Sequence, residues 1–466
     1  MGCGVAVDSR TYLEGTHIEQ AQWHGARTEW NCFECVRTRR TGCPHHFDGV
    51  LYFTPVNLPR PQPSTTSNDK RICQMATLPI HAFAGLSEAR KLLKRTSVNV
   101  TRRKVAVDGS MVYVKEIERS VAGGGFKWSD GTAALTALAE ALEVPVVAST
   151  GHADILRHGH PWFAGQGGPR GNRVASRLTR EADVIVVLGA RLGFNSTFYS
   201  AEYVNPKARI AHVDIEGSAI GRYFPVDIAV QADARETALA LMETPAPDAT
   251  SWRDAFMTDM ASLAEERTEE AAIATLPTHP RRALAEIRVA LPEDAIVTLD
   301  TGNTCLQAAD RLAHYQSPGL ITPLDFGLVG FGMPAAIGAK AAAPDRPVVA
   351  IMGDGSMGYT MIEVQTAVSH RLPVIFIVLD NQAWGAEKAY QQEFFGGRLL
   401  GAEIDSPRYD KFAELCGARG FWVEGPGDMG PALEEALDSG DTCVIQGRID
   451  PGALMTLRKD LFKPAK

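Results

Sequence analysis

The sequence predicts an α/β protein built from parallel sheets flanked by helices, and three observations support this prediction. From about Ser120 onward, short apolar runs alternate with segments of helical periodicity. The runs are continuously apolar, as expected for strands that are covered on both faces. The chain has 466 residues, 45% of them hydrophobic, which is enough for two or three such domains.

The first alternating unit is predicted to be a Rossmann-like domain over residues 119–246. Thr132–Glu143 has the spacing of an amphipathic helix, and Glu243–Trp252 has the composition of an exit linker. Strands are predicted at the apolar runs VPVVAST (144–150), ADVIVVLGARLG (182–193), ARIAHVDIE (208–216) and DIAVQAD (227–233).

The second alternating unit is predicted to form a C-terminal domain over residues 275–466. Pro334–Ala343 and Thr360–His370 have helical spacing. Strands are predicted at AIVTLD (295–300), PVVAIMGD (347–354), PVIFIVLDN (373–381) and TCVIQGRI (442–449). Alternation of this kind places the strands in a parallel sheet.

Residues 1–118 form an atypical N-terminal region without sustained periodicity. Leu58–Lys70 has a linker composition, and Leu86–Arg95 is compatible with one helix. One cluster in this region contains side chains that can bind a metal, namely Cys32, Cys35, Cys43, His45 and His46. It is interpreted either as a zinc site or as chance clustering.

Composition excludes several classes of partner. A formal net charge of -8 argues against nucleic acid as a partner. No apolar run reaches the roughly 18–20 residues that a membrane-spanning helix needs. The first residues lack a secretory pattern, and Ala6 breaks the myristoylation pattern. We therefore expect a cytoplasmic protein that acts on a small molecule.

The segment Met352–Lys388 contains two possible cofactor sites. Gly353, Gly355 and Gly358 match G-x-G-x-x-G, and Asp380 would supply the acid of a dinucleotide site. However, Asp354 places a carboxylate where a pyrophosphate would approach, which is repulsive without a cation. A phosphate-binding P-loop is excluded more firmly, because Gly-Lys-Ser/Thr is absent.

A divalent metal resolves this conflict. The segment forms one strand–helix–strand crossover, so its two strands run parallel and Asp354 and Asn381 both follow strand ends. If the strands are neighbours, these ends lie about 5 Å apart. Mg²⁺ prefers oxygen ligands and commonly bridges substrate phosphates. We therefore predict Mg²⁺ between Asp354, Asn381 and a diphosphate.

These residues resemble a known family. G-D-G followed after 25 residues by Asn is similar to the thiamine-diphosphate motif of the acetolactate synthase and pyruvate decarboxylase group. The resemblance implies thiamine diphosphate and Mg²⁺ as cofactors. Asp354, Asn381 and the backbone carbonyl of Ala383 would then be the metal ligands. It also implies a thiamine-diphosphate-binding fold that follows the Rossmann-like central domain.

The flanking sequence extends this resemblance. Leu324–Ser356 resembles the run that precedes the motif in the group, where Gly327 would offer its carbonyl to the aminopyrimidine. Val329 would be the apolar wedge that bends the cofactor, although core packing would also explain Val329 and Met333. The implied cofactor-binding residues are Gly302, Asn303, Gly327, Leu328, Val329, Asp354, Gly355, Ser356, Asn381, Ala383, Trp384 and Gly385.

Within the group, Trp384–Lys388 and the closing Arg458–Lys466 most resemble sulfoacetaldehyde acetyltransferase. That family converts sulfoacetaldehyde and phosphate into acetyl phosphate and sulfite. An acetolactate-synthase-like carboligase acting on pyruvate is an alternative. Lys388 and Arg398 would suit a phosphate acceptor, or they are solvated surface charges. Some relatives carry FAD in the middle domain, but a structural spacer is favoured here.

The catalytic residue is not identified. In the family a glutamate of the N-terminal pyrimidine domain, usually from a partner subunit, activates the cofactor, which implies a homodimer or homotetramer. Here Glu19 is a faint candidate and otherwise an ordinary surface residue. By the family resemblance a pyrimidine domain needs roughly 160–170 residues, a typical domain size, so we expect residues 1–118 to be truncated, rearranged or scrambled by a reading-frame error. A cofactor-binding protein without turnover is therefore a further alternative.

Overall fold

The computed structural model describes residues 119–243, 250–324 and 326–455, together with two short strands near the N-terminus. The chain divides into two compact units, residues 1–79 and 80–466. In the first unit, Gln22–His24 (β1) pairs antiparallel with Arg27–Glu29 (β2). Some predictions fall on residues outside the described part of the chain. They concern Glu19, the cysteine–histidine cluster, Leu58–Lys70, Leu86–Arg95 and Arg458–Lys466.

A first six-stranded parallel sheet lies in the second unit, in the part we call the central module (residues 119–243). Its strands are Arg119–Ala122 (β3), Val146–Ala148 (β4), Phe163–Gln166 (β5), Val184–Leu188 (β6), Arg209–Asp214 (β7) and Ile228–Gln231 (β8). The spatial order is β5-β4-β3-β6-β7-β8. Strand order therefore reverses between β3 and β6, as in doubly wound Rossmann folds.

Helices cover both faces of this sheet. They are Gly124–Trp128 (α1), Thr132–Leu142 (α2), Arg173–Glu181 (α3), Phe194–Thr197 (α4) and Ala234–Leu241 (α5). The side chain of Asn172 fixes the start of α3, because it accepts a hydrogen bond from Ala175 N at 2.8 Å. Apolar side chains on the two faces form two separate cores.

A second six-stranded parallel sheet forms what we call the C-terminal module (residues 280–455). Its strands are Ile296–Leu299 (β9), Leu320–Ile321 (β10), Val348–Gly353 (β11), Ile375–Asp380 (β12), Arg419–Val423 (β13) and Cys443–Arg448 (β14). The order is β10-β9-β11-β12-β14-β13, so β11 and β12 are central strands. Both are buried along almost their whole length, in agreement with their Val- and Ile-rich sequences.

The helix Thr250–Ala271 (α6) connects the two modules, and helices cover the second sheet. The latter are Pro280–Ala290 (α7), Asn303–Arg311 (α8), Gly332–Ala342 (α9), Asp354–Thr360 (α10), Glu363–Ser369 (α11), Gly385–Phe394 (α12), Tyr409–Leu415 (α13) and Met429–Ser439 (α14). Of the helices that the structure describes, none has the combination of length and apolarity that crossing a membrane would require.

The predicted fold class is confirmed, with corrections to individual elements. The linker predicted at Glu243–Trp252 is too long, because α6 already begins at Thr250. The helix predicted at Thr360–His370 is wrong in its bounds, because one helix starts at Asp354 and a second at Glu363. The exact domain bounds 119–246 and 275–466 remain predictions.

Candidate functional site

The candidate site lies where two neighbouring strands end. β11 and β12 are adjacent and parallel, with Gly353 paired opposite Leu379, which confirms the neighbour relationship on which the metal prediction depended. Asp354 follows β11 directly and Asn381 follows β12 directly. Both side chains are buried, with 0% and 7% of their surface exposed. The carboxyl edge of a parallel sheet is where such folds bind ligands.

The two carboxylate oxygens of Asp354 differ in their hydrogen bonding. Oδ2 accepts a hydrogen bond from Ser406 Oγ at 2.7 Å. Oδ1 is buried and has no hydrogen-bond partner within the described part of the chain. Burial raises the pKa of Asp354 to about 6, and the nearby Asp380 carboxylate adds to this, while the Ser406 hydrogen bond opposes it. An unpartnered buried carboxylate oxygen suits a bound cation.

Asp380 is fully buried and fully engaged, which argues against the dinucleotide hypothesis. Its Oδ1 accepts from Gln382 Nε2 at 2.8 Å, and its Oδ2 accepts from Gln446 Nε2 at 2.9 Å. Arg448 Nη1 lies 3.4 Å from Oδ1. A carboxylate held in this way inside the protein is not available to a ribose hydroxyl.

Ala383 is held by a short antiparallel bridge to Glu403. The hydrogen bonds of this bridge are Ile404 N to Gln382 O at 3.0 Å and Trp384 N to Ala402 O at 2.8 Å. These two hydrogen bonds use backbone atoms of the residues on either side of Ala383, so the carbonyl oxygen of Ala383 accepts neither of them. This geometry is compatible with Ala383 as the third oxygen ligand.

The donor set differs from the side-chain clusters that usually mark a metal site. Among the described residues there is no group of three or more His, Cys, Asp and Glu side chains arranged to hold a metal. The set here is one carboxylate, one amide oxygen and one backbone carbonyl. Hard cations accept such an all-oxygen set when a ligand supplies further oxygens.

Two glycines allow the two turns to meet. A Cβ on Gly355 would lie 2.7 Å from the indole ring of Trp384. A Cβ on Gly385 would lie 3.0 Å from both Asn303 Cβ and Asn381 Nδ2. The first distance is shorter than real Cβ contacts and the second is tighter than most of them, so a larger residue at either position would shift these groups. Trp384 packing alone therefore explains the glycine at 355.

The segment around Asn303 has a structural role in addition to the predicted one. Asn303 Nδ2 donates to Met455 O at 2.8 Å, and its Oδ1 accepts from Gln307 Nε2 at 2.8 Å. The side chain is therefore committed within the protein. Gly302 precedes α8 with φ of 128°, a region that favours glycine. Contact with a diphosphate through the backbone at the start of α8 remains a prediction.

The predicted aminopyrimidine segment faces open space. Gly327 has φ of 81°, and no described atom lies within 4 Å of where its Cβ would be. Leu328 is 55% exposed, and Val329 is half-buried and belongs to none of the cores of the described residues. Core packing therefore explains Met333, which is fully buried, better than it explains Val329.

Sequence reasoning missed Asp300, which organises this segment. Asp300 is 1% exposed. It accepts backbone hydrogen bonds from Thr301 at 2.8 Å, Gly330 at 2.9 Å and Gly332 at 2.5 Å. Burial raises the pKa of its carboxyl group. Nearby, Ser356 Oγ donates to Thr301 O at 3.0 Å. The sequence contained one signal that could have identified Asp300, namely its place as the aspartate that ends the predicted strand AIVTLD.

Comparison with known proteins decides the family. The model of the "Thiamine pyrophosphate enzyme, C-terminal TPP binding domain" matches residues 300–446. The model of the "Thiamine pyrophosphate enzyme, central domain" matches residues 120–241. The two matches together cover more than half of the chain and correspond to the two sheets. The chain belongs to the thiamine pyrophosphate enzyme family.

Individual relatives agree. The sulfoacetaldehyde acetyltransferase of Alcaligenes xylosoxydans xylosoxydans is 32% identical over 360 residues, which are 70% of this chain and 59% of that protein. The enzyme of the same name from Castellaniella defragrans is 33% identical over 349 residues, 68% of this chain and 57% of that protein. A probable acetolactate synthase large subunit of Methanococcus aeolicus is 27% identical over 356 residues, 72% of this chain and 59% of that protein. The chain thus spans about three-fifths of the length of these curated relatives.

Lys388, one of the two cations considered for phosphate, is not a solvated surface charge in this member of the thiamine pyrophosphate enzyme family. It is only 9% exposed, and its Nζ lies 3.2 Å from Glu403 Oε1. The surface-charge interpretation is therefore wrong for Lys388, because this side chain is buried at the start of α12. A buried ammonium group needs a charged partner, and Glu403 is that partner. Arg398 is exposed and donates to Phe395 O at 3.2 Å.

The switch point of the central sheet is closely packed. A Cβ on Gly123 would lie 2.7 Å from Ala190 Cβ, so the loops after β3 and β6 pack directly on each other. A crevice beside them, lined by Val121, Ser149 and Ser196 among others, measures about 20 Å³, which holds about one water molecule. A structural spacer therefore remains the prediction for this module.

Proposed function

We propose that this chain binds thiamine diphosphate through Mg²⁺ and catalyses acyl transfer from a small aldehyde or 2-oxo compound. The observation that carries the proposal is the unpartnered, buried Oδ1 of Asp354 beside Asn381 on the neighbouring strand end. A dication would compensate the buried carboxylate and bridge it to the diphosphate. The family membership of both modules supports the same cofactor.

Each predicted residue has a role in holding the cofactor. Asp354, Asn381 and the carbonyl of Ala383 would ligate Mg²⁺, and the starts of α8 and α10 would favour the diphosphate anion. Gly327, Leu328 and Val329 would contact the aminopyrimidine. When bound, thiamine diphosphate supplies a nucleophilic carbon and an electron sink. The residues named above would bind and orient it.

The preferred substrates are sulfoacetaldehyde and phosphate, with acetyl phosphate and sulfite as products. This part of the proposal is supported by the two relatives named sulfoacetaldehyde acetyltransferase, which are 32% and 33% identical. A pyruvate carboligase is the second candidate, supported by the relative named a probable acetolactate synthase large subunit. Lys388 is neutralised by Glu403, so it is a poor contact for an acceptor phosphate.

Calorimetry of the Asp354→Ala variant tests the cofactor site. We expect thiamine diphosphate to bind the unmodified chain only with Mg²⁺, and the variant to lose this Mg²⁺-dependent binding. The control is Asp345→Ala, which removes an exposed carboxylate that precedes β11 at the opposite edge of the sheet. Unchanged affinity in Asp354→Ala would remove the site assignment.

Product assays test the substrates. Acetyl phosphate and sulfite formed from sulfoacetaldehyde and phosphate would support the acetyltransferase, whereas acetolactate formed from pyruvate would support the carboligase. Cofactor binding with neither product would favour a cofactor-binding protein without turnover, since the activating glutamate is unidentified.

We also propose a homodimer or homotetramer. Large apolar side chains are exposed close to the site, namely Phe326, Leu328, Tyr359 and Ile362, with 90%, 55%, 67% and 61% of their surfaces accessible. Exposed large apolar side chains that lie close together mark interaction surfaces, which supports this proposal. Light scattering after size-exclusion chromatography would measure the assembly state, and a monomer at micromolar concentration would contradict this proposal.

A further inference from the structure

The segment Gly319–Gly332 connects the central module to the cofactor site. It contains β10 at one end and the predicted aminopyrimidine contacts Gly327–Val329 near the other. At the latter end, Thr301 Oγ1 donates to Leu328 O at 2.9 Å, and Asp300 binds the amides of Gly330 and Gly332. Phe326 N and Gly327 N both donate to Pro323 O, at 2.9 and 2.6 Å, so the position of Gly327 also depends on how the first end is held.

The first end is held by the central module. β10 is an edge strand whose single neighbour in the sheet is β9, so its outer backbone groups need other partners. Lys127 Nζ donates to Leu320 O at 2.6 Å. Asp154 Oδ2 accepts from Gly319 N at 2.9 Å and from Leu320 N at 3.1 Å. These three hydrogen bonds complete the outer edge of β10.

Lys127 and Asp154 also form a buried ion pair. Lys127 Nζ lies 2.8 Å from Asp154 Oδ1, and the two side chains are 2% and 0% exposed. A well-packed apolar pair would often be as stable as a buried ion pair. However, an apolar pair would leave three buried backbone groups without partners, and each unsatisfied group would destabilise the fold. The charged pair therefore specifies where the segment lies.

A second contact from the central module lies further along the segment. Asn195 Nδ2 donates to Leu324 O, and Arg170 Nη1 in turn donates to Asn195 Oδ1 at 2.9 Å. Gly151 packs closely here, since a Cβ on it would lie 2.6 Å from Thr322 Oγ1. The central module thus fixes the segment from Gly319 to Leu324, immediately before the exposed Phe326–Leu328.

We propose that Lys127 and Asp154 are positioning residues for the aminopyrimidine half of the cofactor. They fix the start of Gly319–Gly332 and thereby place Gly327–Val329. They have no contact with the turns at Asp354 and Asn381, which would hold the metal and diphosphate. The inference rests on the proposed function, and it gives the central module a task in cofactor binding that requires no ligand of its own.

Binding of two ligands separates positioning from general stability. Calorimetry with the purified full-length chain and saturating Mg²⁺ measures thiamine diphosphate directly and inorganic pyrophosphate by displacement. In Lys127→Met we expect the affinity for thiamine diphosphate to fall about tenfold. Losses of this size are typical when a residue that holds the ligand-binding residues in place is removed. The affinity for pyrophosphate should stay within about twofold of the unmodified chain, since the diphosphate turns are untouched.

Arg157→Gln is the matched control. Arg157 also forms an ion pair between the modules, with Nη2 lying 2.8 Å from Glu293 Oε1, but both side chains are more than half exposed. This pair does not contact Gly319–Gly332, so both affinities should remain unchanged. If Lys127→Met does not fold, Asn195→Ala tests the same positioning at Leu324 with a smaller loss of buried contacts.

Three outcomes would overturn the inference. They are equal losses for both ligands, no loss for either ligand, and an unmodified chain that binds thiamine diphosphate without any displacement by pyrophosphate. The last would mean that the diphosphate turns do not bind independently of the segment. An unmodified chain that binds neither ligand would instead contradict the proposed function itself.

Discussion

At the scale of single residues, Gly355 is a position where the turn after β11 packs directly against the turn after β12. The indole ring of Trp384 occupies the space where a side chain at position 355 would be. Trp384 in turn packs edge-on against Tyr359, with ring centroids 5.8 Å apart. The geometry of the Asp354 turn therefore depends on a close approach that only glycine permits.

We predict that Gly355→Ala both destabilises the protein and weakens cofactor binding. The added methyl group must displace the Trp384 ring, and overpacking of this kind costs about 1–3 kcal/mol. Urea denaturation would measure the free energy of unfolding, and Trp fluorescence would report the ring movement.

The control for this prediction is Gly338→Ala in the middle of α9. No described atom lies within 4 Å of where a Cβ would be at Gly338, and alanine favours a helix by about 0.5–1 kcal/mol over glycine. Gly338→Ala should therefore be neutral or stabilising. Equal effects of the two substitutions would show that Trp384 packing does not constrain position 355.

At the scale of elements, β14 connects the two turns of the proposed metal site through Gln446. Gln446 Nε2 donates to Asp380 Oδ2 at 2.9 Å and to Pro407 O at 3.1 Å. Its Oε1 accepts from Tyr409 N at 2.7 Å. Asp380 precedes Asn381, and the segment around Pro407 carries Ser406, which binds Asp354. One side chain therefore supports both sides of the site.

We predict that Gln446→Leu lowers the free energy of unfolding by at least about 2 kcal/mol, because it leaves several buried polar groups without partners. Mg²⁺-dependent cofactor binding should weaken as well. Gln391→Leu is the control, since Gln391 hydrogen-bonds Leu400 at an exposed site and its loss should cost about 0.5 kcal/mol or less. Similar destabilisation in both variants would contradict the importance of burial at Gln446.

The sequence predicts the central elements of both sheets well and the edge elements poorly. β11 and β12 are recognisable because both faces are buried, which produces continuous apolar runs. β10 has only two residues and β13 is half-exposed, so neither produces a clear pattern. β5 includes Gly165 and a register shift, which also weakens a strand signal.

At the scale of the whole molecule, a pair of histidines, of which His314 is buried and His158 is half-buried, joins the two modules. His158 belongs to the central module and His314 to the C-terminal module. His314 N donates to His158 Nδ1 at 2.9 Å, and His158 N donates to His314 O at 2.9 Å. Burial lowers the pKa of each imidazole to about 3, and the nearby positive charge of Arg288 further lowers that of His314.

We predict that acid destabilises the join between the modules. The folded-state pKa of each histidine lies below its ordinary value of 6.5, so the unfolded chain binds more protons between these values. The stabilising contribution is thus complete above about pH 6.5 and is lost as the pH falls towards about 3. Urea denaturation at several pH values would measure this loss.

The control variant is His314→Leu. It removes one titrating group. Both hydrogen bonds of the pair use backbone atoms of residue 314, so they can still form. The ring atom His314 Nε2 has no hydrogen-bond partner among the described residues that the variant would remove. The variant should therefore lose less stability on acidification than the unmodified chain. An identical pH dependence would mean that carboxylates, and not these histidines, control acid unfolding.

The sequence by itself determined two parallel α/β modules and the placement of Asp354 and Asn381 directly after the two strands of one crossover. These features depend on local periodicity and on the spacing of one crossover, which neighbouring residues encode. Only the tertiary structure decided which oxygen of Asp354 is unpartnered, because Ser406, which occupies the other oxygen, is 52 residues away. The roles of Asp300, Gln446 and the Lys127–Asp154 pair likewise depend on contacts between distant segments, and no local pattern records such contacts.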